Sequence, residues 1–176
     1  YGMYTFTAPT YTPTLVKQED DLVANGGGVL VGDTYYLTNF YTYYGYNFVY
    51  FERYNPETWE FLGDTRASMQ EVATDLAYDP ITDKVYGCFV SDSGNGYVWG
   101  TIDLTEGKRT QLGFCDNPLL AIAASNEGII YGVDGKGDLY TVDKETGAQT
   151  LVGSTGLSVE YITQSATFDT RKNEMY

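Results

Sequence analysis

Carboxylates are the most numerous candidates for acid–base chemistry in this sequence, which holds 24 Asp and Glu residues and no histidine. Paired carboxylates hydrolyse glycosidic bonds when one acts as acid and the other as base or nucleophile. The acids near predicted strand ends are Asp79, Asp83, Asp103, Asp143 and Asp169. They recur at equivalent positions of an internal repeat, whereas a catalytic pair would occur once. We therefore expect turn-forming aspartates, no catalytic residue and no enzymatic activity.

The same composition excludes several other kinds of catalytic and metal site. Without histidine, the Ser–His–Asp and Cys–His arrangements and histidine zinc sites are excluded. Cys88 and Cys115 are interpreted as two buried thiols, with a single disulfide as the alternative. The oxygen-rich segments 92–96 and 134–138 lack the glutamate of an EF-hand loop and are interpreted as hairpin turns. We expect no metal and no cofactor.

The charge of the chain bears on its partners. Ten Lys and Arg residues against 24 Asp and Glu residues give a net charge of −14. An acidic surface repels phosphate backbones, so we expect no nucleic-acid binding. No apolar run approaches the ~20 residues of a membrane helix, so we expect no membrane insertion. The chain begins at Tyr1 without a basic-then-apolar leader, which suggests a processed or trimmed protein.

An internal repeat is the main evidence for the fold. Each copy reads as a small apolar strand, a polar turn and a second strand that ends at Tyr, and the copies are residues 77–86, 123–131 and 166–176. The closing tyrosines are spaced equally, at 45 residues. Tyr, with 18 copies, suits strands, and no long stretch shows a helical apolar period.

The second half of each unit repeats as well. Asp103–Gly107 followed by Leu112-Gly113 matches Asp143–Gly147 followed by Val152-Gly153, and residues 54–63 form a looser copy. Asp or Asn caps such a turn through its own side chain, and Gly supplies the positive φ that reverses the chain. We expect the following Leu-Gly or Val-Gly to end the next strand. Four short strands in about 40–45 residues correspond to one propeller blade.

The repeat predicts an all-β fold, a β-propeller of four-stranded antiparallel blades that is incomplete in this chain. The predicted blades span about residues 21–63, 72–113, 119–153 and, in part, 161–176, after an N-terminal strand segment at 1–20. The strand that ends at Tyr176 leaves an open β-edge, where we expect a partner chain or the rest of a longer propeller. The alternative is a four-bladed ring closed by residues 1–20.

Residues 138–153, a strand followed by the Asp-x-x-x-Gly turn and Val-Gly, resemble blades of bacterial secreted and cell-surface β-propeller repeat proteins. The resemblance extends over about residues 21–176 and implies a secreted or cell-surface location. It is weak for function, since propellers serve as adhesins, glycan binders, scaffolds and enzymes. The chain lacks the Gly-His and Trp-Asp dipeptides of WD40 repeats and the repeated Trp of quinone-cofactor propellers.

The most distinctive segment is the tyrosine-rich stretch 35–51, whose predicted hairpin tip spans 40–47. Tyr combines an apolar ring with a hydroxyl and suits protein or sugar surfaces. The candidate ligand-binding residues are Tyr41, Tyr43, Tyr44, Tyr46 and Asn47. The alternative is cross-strand packing of the tyrosines along a twisted hairpin. Trp59 and Trp99 are interpreted as core between blades.

The sequence thus favours a non-catalytic extracellular or cell-surface binding or adhesion module that recognises a protein or a glycan. One alternative is a structural subunit or fragment completed by partner chains across the open β-edge. Another is a glycan-active propeller enzyme whose site lies outside this segment.

Overall fold

The computed structural model describes residues 2–7, 10–18, 24–91, 96–157 and 164–176, and these residues form sixteen strands and no helix. The sheets are three of four strands and two of two strands, and every pairing is antiparallel. The predicted starts of the first and fourth blades, at residues 21 and 161, and most of the oxygen-rich segment 92–96 lie outside the described residues.

Each four-stranded sheet follows chain order from its inner to its outer strand. The first blade contains β3 (Ala24–Val31), β4 (Thr34–Tyr43), β5 (Tyr46–Tyr54) and β6 (Phe61–Arg66). The second contains β7 (Ala73–Asp79), β8 (Lys84–Val90), β9 (Tyr97–Asp103) and β10 (Lys108–Cys115). The third contains β11 (Leu119–Ala124), β12 (Ile130–Asp134), β13 (Asp138–Val142) and β14 (Gln149–Ser154).

The two remaining sheets pair β1 (Gly2–Thr5) with β2 (Thr14–Gln18) and β15 (Phe168–Asp169) with β16 (Glu174–Met175). Within the described part of the chain they are separate sheets, so they do not form the shared blade of the closed-ring alternative. The β2 strand contacts the first blade through Lys17, whose Nζ donates to the Tyr54 hydroxyl at 2.7 Å and lies 3.3 Å from a Glu52 oxygen.

The turn between the third and fourth strands of each blade is capped by an Asx side chain, as the repeat predicts. The Asp143 carboxylate accepts from the Glu145 and Thr146 amides at 3.0 and 2.8 Å. Asp103 and Asn55 accept equivalent bonds in the other two blades. Gly147 closes the turn with a φ of 79°, whereas the first blade places Trp59 at the equivalent point with a φ of 59°.

The repeated Leu-Gly and Val-Gly pairs do not end the outer strands, which corrects the sequence prediction. In each blade the register shifts at the aliphatic residue, so Leu62, Leu112 and Val152 have no cross-strand partner. Each is therefore a β-bulge residue on the edge strand of its sheet. A bulge twists an edge away from flat pairing, which protects the unpaired backbone groups from other chains.

Apolar side chains fill the two interfaces between the blades. Phe51 and Phe89 belong to the cluster between the first and second blades, and Trp99 to that between the second and third. Trp99 is fully buried and its indole donates to the Lys144 carbonyl at 3.1 Å, which confirms its predicted role between blades. Trp59 is not core: it is half-buried in its turn, edge-on to Tyr35 at 5.4 Å.

The cysteines lie in the same blade. Cys88 and Cys115 are free thiols in this structure, and both are buried in the cluster around Trp99, as the preferred interpretation predicts. They lie on β8 and β10, which are separated by β9. Their side chains nevertheless meet: a hydrogen bond between the two thiols lowers the pKa of Cys88 and raises that of Cys115.

The packing of the turn glycine gives a test of the blade interface. A Cβ at Gly147 would lie 2.6 Å from Trp99 Cβ and 3.0 Å from the Phe114 carbonyl oxygen, at a φ that disfavours side chains. We expect Gly147→Ala to lower the free energy of unfolding by roughly 2 kcal/mol, measured by urea denaturation. The matched control is Gly153→Ala, whose Cβ meets nothing within 4 Å. Equal losses in the two variants would contradict this packing.

Candidate functional site

The β4–β5 hairpin is the longest in the described chain. Its strands have ten and nine residues, whereas β8 and β9 have seven each and β12 and β13 have five each. Three additional residues lengthen a strand by about 10 Å. The two-residue turn uses Tyr44 and Gly45 with φ of 49° and 80°, the positive angles of a type I′ turn.

Strand alternation places the predicted tyrosines on one side of this hairpin. Tyr41 pairs with Phe48 and Tyr43 pairs with Tyr46, so these four rings share one side. Tyr50 extends the row, because its ring stacks on Tyr41 at 6.1 Å. We call these five residues the aromatic face. The structure therefore brings together Tyr41, Tyr43 and Tyr46, with Tyr44 adjacent in the turn.

Exposure increases toward the tip of the hairpin. Tyr41 is 39% exposed, Tyr43 and Tyr46 are about 60% and 59% exposed, and Tyr44 is 84% exposed. The Tyr44 ring meets Tyr43 edge-on at 4.4 Å. Cross-strand packing, the alternative interpretation, therefore accounts for Tyr41 and Phe48, which stack at 5.0 Å, and leaves the tip tyrosines mostly in solvent.

Asn47 occupies the other side of the hairpin. Its Oδ1 accepts from the Thr42 hydroxyl at 2.8 Å, and its Nδ2 donates to the Gln70 carbonyl at 3.2 Å. Gln70 lies in the segment between β6 and β7. Both ends of the amide are thus engaged within the protein, and Asn47 anchors the hairpin to the connection between blades.

Arg66 is a contributor that the sequence did not single out. It pairs with Tyr50 across β5 and β6, and its Cζ lies 5.0 Å from the centre of the Phe48 ring. A guanidinium over a ring stabilises the aromatic row at its blade end. No signal in the sequence separates this arginine from other strand arginines, because the contact depends on the register of β6.

Asp75 is the second important residue that the sequence analysis missed. Its carboxylate is fully buried and accepts from the Ile122 amide at 2.8 Å, the Ala166 amide at 3.0 Å and the Ser165 hydroxyl at 3.0 Å. These donors belong to the third blade and to the segment before β15. The signal in the sequence was an acid at the start of the predicted second blade, beside the apolar pair Leu76-Ala77.

The electrostatics of Asp75 are those of a buried acid. Burial raises its pKa to about 7, although the bonds from Ile122, Ala166 and Ser165 oppose the shift. Burial and the negative charge of Asp75 together raise the pKa of Tyr35 to about 12. Shifted carboxyl groups often mark catalytic sites, but this one has no exposed surface and its oxygens bind structural donors.

The repeated aspartates are also engaged within the protein. The hydrogen bond from the Thr105 hydroxyl holds the pKa of Asp103 below its usual value, and the bond from Thr146 does the same for Asp143. Asp79 is buried and lies 2.7 Å from the Lys144 ammonium of the next blade. Asp134 accepts from the Lys136 and Asp138 amides. Among the described residues, no cluster of three acids, thiols or imidazoles could hold a metal.

Comparisons with known proteins concern the fold. No protein-family model matches the sequence, and no curated protein matches it. TolB from Acinetobacter baumannii, a β-propeller protein, matches in structure with a TM-score of 0.55 and 21% identity. The match covers 94% of this chain and 39% of that TolB chain.

The fold is that of a β-propeller. The prediction of four-stranded antiparallel blades, incomplete in this chain, is confirmed by the three blades and the structural match. The computationally designed protein Ika4 also aligns, with a TM-score of 0.44, 13% identity and coverage of 87% of this chain and 89% of the designed one. No helix in the described ranges is long and apolar enough to cross a membrane.

The buried acid predicts an unusual pH dependence of stability. Asp75 has a pKa near 4 when unfolded and about 7 when folded, so the folded state binds the proton more tightly. The free energy of unfolding should therefore fall by up to about 4 kcal/mol from this group as pH rises from about 4 to about 7. Urea denaturation across this range should show the fall in the native protein and a flatter profile in Asp75→Asn. Parallel profiles would contradict the assignment.

Proposed function

We propose that this protein is a non-catalytic binding module that holds a protein or glycan partner on the tip of the β4–β5 hairpin. One observation carries the proposal: Tyr43, Tyr44 and Tyr46 are 59–84% exposed together at the end of an anchored hairpin. Clustered exposed aromatic rings mark interaction surfaces, because solvent-facing apolar area is otherwise unfavourable. Tyr is suited to this use since it provides contact area with little loss of side-chain entropy.

The turn conformation supports the same proposal. Tyr44 has a φ of 49°, in a region where a β-carbon is unfavourable and where Asn or Gly is the common choice. An exposed residue at this point gains little from packing, because 84% of its surface faces solvent. A ring that is kept in an unfavourable conformation and in water is consistent with selection for contact with a partner.

The acidic residues support a non-catalytic module. Asp103 and Asp143 cap equivalent turns in two blades. Asp79 forms an ion pair with Lys144. Asp75 is buried and accepts hydrogen bonds from backbone amides. Each of these four carboxylates is thus engaged in holding turns or blades. The absence of histidine from the sequence agrees with this proposal.

We also propose a secreted or cell-surface location in a bacterium. The resemblance of residues 138–153 to secreted propeller repeats supports it, and the structural match to TolB is to a bacterial protein. Adhesion, a partner chain at an open β-edge and a glycan-active site outside this segment stay predictions from the sequence.

The proposal is tested by replacing the three tip tyrosines at once. Tyr43→Ser, Tyr44→Ser and Tyr46→Ser in one variant should abolish retention of the native partner, with at least about a hundred-fold loss of affinity if each ring contributes about 1 kcal/mol. Retention is measured by surface plasmon resonance against fractions of the native cell surface and against a glycan array. The thermal unfolding midpoint should change little, because these rings are exposed.

The matched control is Ile81→Ser, which removes an apolar side chain that is 64% exposed on the second blade. It should bind as the native protein does. Unchanged binding by the triple variant would exclude the hairpin tip as the contact site.

A further inference from the structure

The rings on the inner part of the aromatic face already use their flat surfaces. Tyr41 lies parallel to Phe48 within 8° at 5.0 Å and parallel to Tyr50 within 15° at 6.1 Å. Arg66 covers Phe48 at 5.0 Å. In this row of Tyr50, Tyr41, Phe48 and Arg66, the ring faces that point toward each other are covered by the neighbouring side chain. A sugar ring stacks on an exposed ring face, so it cannot enter between these side chains.

The polar groups near the tip are engaged as well. The Asn47 amide and the Thr42 hydroxyl bond to each other, and Asn47 also donates to Gln70. The Tyr41 hydroxyl hydrogen-bonds to Tyr50, which raises the pKa of Tyr41. Glycan sites depend on amide and carboxylate side chains that fix the sugar hydroxyls. Here the Asn47 amide bonds within the protein instead.

Three rings at the tip stay mostly exposed to a partner, namely Tyr43, Tyr44 and Tyr46, although Tyr44 meets Tyr43 edge-on at 4.4 Å. In the described structure no Lys or Arg lies over them, whereas Lys17 lies over Tyr54 and Arg66 over Phe48. The ring face of a tyrosine attracts cations, most strongly where water is displaced. The chain that carries these rings has a net charge of −14, which draws cationic partners toward it.

We propose that the hairpin tip binds a protein partner through arginine or lysine side chains that pack on Tyr43, Tyr44 and Tyr46. This inference rests on the proposed function and deepens it, since it selects a protein with a basic contact surface over a glycan. The acidic surface steers the partner, and the tip rings and their hydroxyls supply the close contacts.

The test uses defined probes and variants of equal charge. An arginine–glycine repeat peptide, an otherwise identical glutamate–glycine peptide and chitohexaose are titrated separately while the tyrosine ring signals are followed by NMR. The native chain is compared with the variant that carries Tyr43→Ser, Tyr44→Ser and Tyr46→Ser. Both have the same net charge, so general attraction of a basic peptide to an acidic protein is equal in the two.

We expect the arginine peptide to bind the native protein about ten-fold more tightly than the triple variant and to shift the Tyr44 ring signals saturably. The glutamate peptide and chitohexaose should leave those signals unchanged. The Ile81→Ser control should bind the arginine peptide as the native protein does.

Equal affinity of the arginine peptide for the native protein and the triple variant would overturn the inference, as would no binding at all. A saturable shift of Tyr44 by chitohexaose would overturn it too, while leaving the hairpin tip as a binding site. The proposed function itself fails in a different way, through undiminished retention of the native partner by the triple variant.

Discussion

The arrangement of the blades depends on the buried carboxylate of Asp75. It accepts hydrogen bonds from backbone amides that have no acceptor within a sheet. The inner strand of a blade is an edge strand, so part of its backbone faces away from its own sheet. The Ile122 amide, on inner strand β11, donates to Asp75, and so does the Ala166 amide, which precedes β15. An unpaired amide in this position would cost about 1–3 kcal/mol. Asp75 joins the second blade, the third blade and the segment before β15.

The first blade also packs closely against this acid. A Cβ at Gly27 would lie 2.1 Å from the Asp75 Oδ1, so glycine allows the first blade to approach the same point. The site contains no cation among the described residues within hydrogen-bonding reach of the carboxylate, and burial keeps its pKa near 7. Folding thus removes water from the Asp75 carboxylate and replaces it with several hydrogen bonds from elements that are distant in sequence.

Much of the fold could be predicted because the outer part of each blade is encoded locally. The capped turns at Asp103 and Asp143 need four or five consecutive residues, so a repeat reveals them. The bulges at Leu112 and Val152 were misread as strand ends, since a Gly after an aliphatic residue fits both. Asp75 was missed because its partners lie 47 and 91 residues away, and no local pattern announces them.

In the β4–β5 hairpin, too, some features could be predicted from local sequence and others depend on distant residues. Its tyrosines and their exposure follow from alternation and from an unusually long aromatic segment, so the cluster was predictable. The role of Asn47 was not, because it depends on Gln70 in the connection to the next blade. Arg66 was overlooked for a similar reason, since its place over Phe48 is set by the pairing of β5 with β6. The local sequence was enough to predict the cluster of tyrosines. The contacts between distant segments decide which of its polar and aromatic groups are exposed to a partner.

The most direct test of this account is the hydrogen exchange rate of the Ala166 amide, measured by NMR in the native protein. Ala166 lies before β15, and the acceptor of its amide is the Asp75 carboxylate rather than a strand partner. The account predicts strong protection of Ala166, close to that of Ile122, and loss of protection at both amides in Asp75→Ala. Rapid exchange at Ala166 in the native protein would contradict the claim that one buried acid joins these elements.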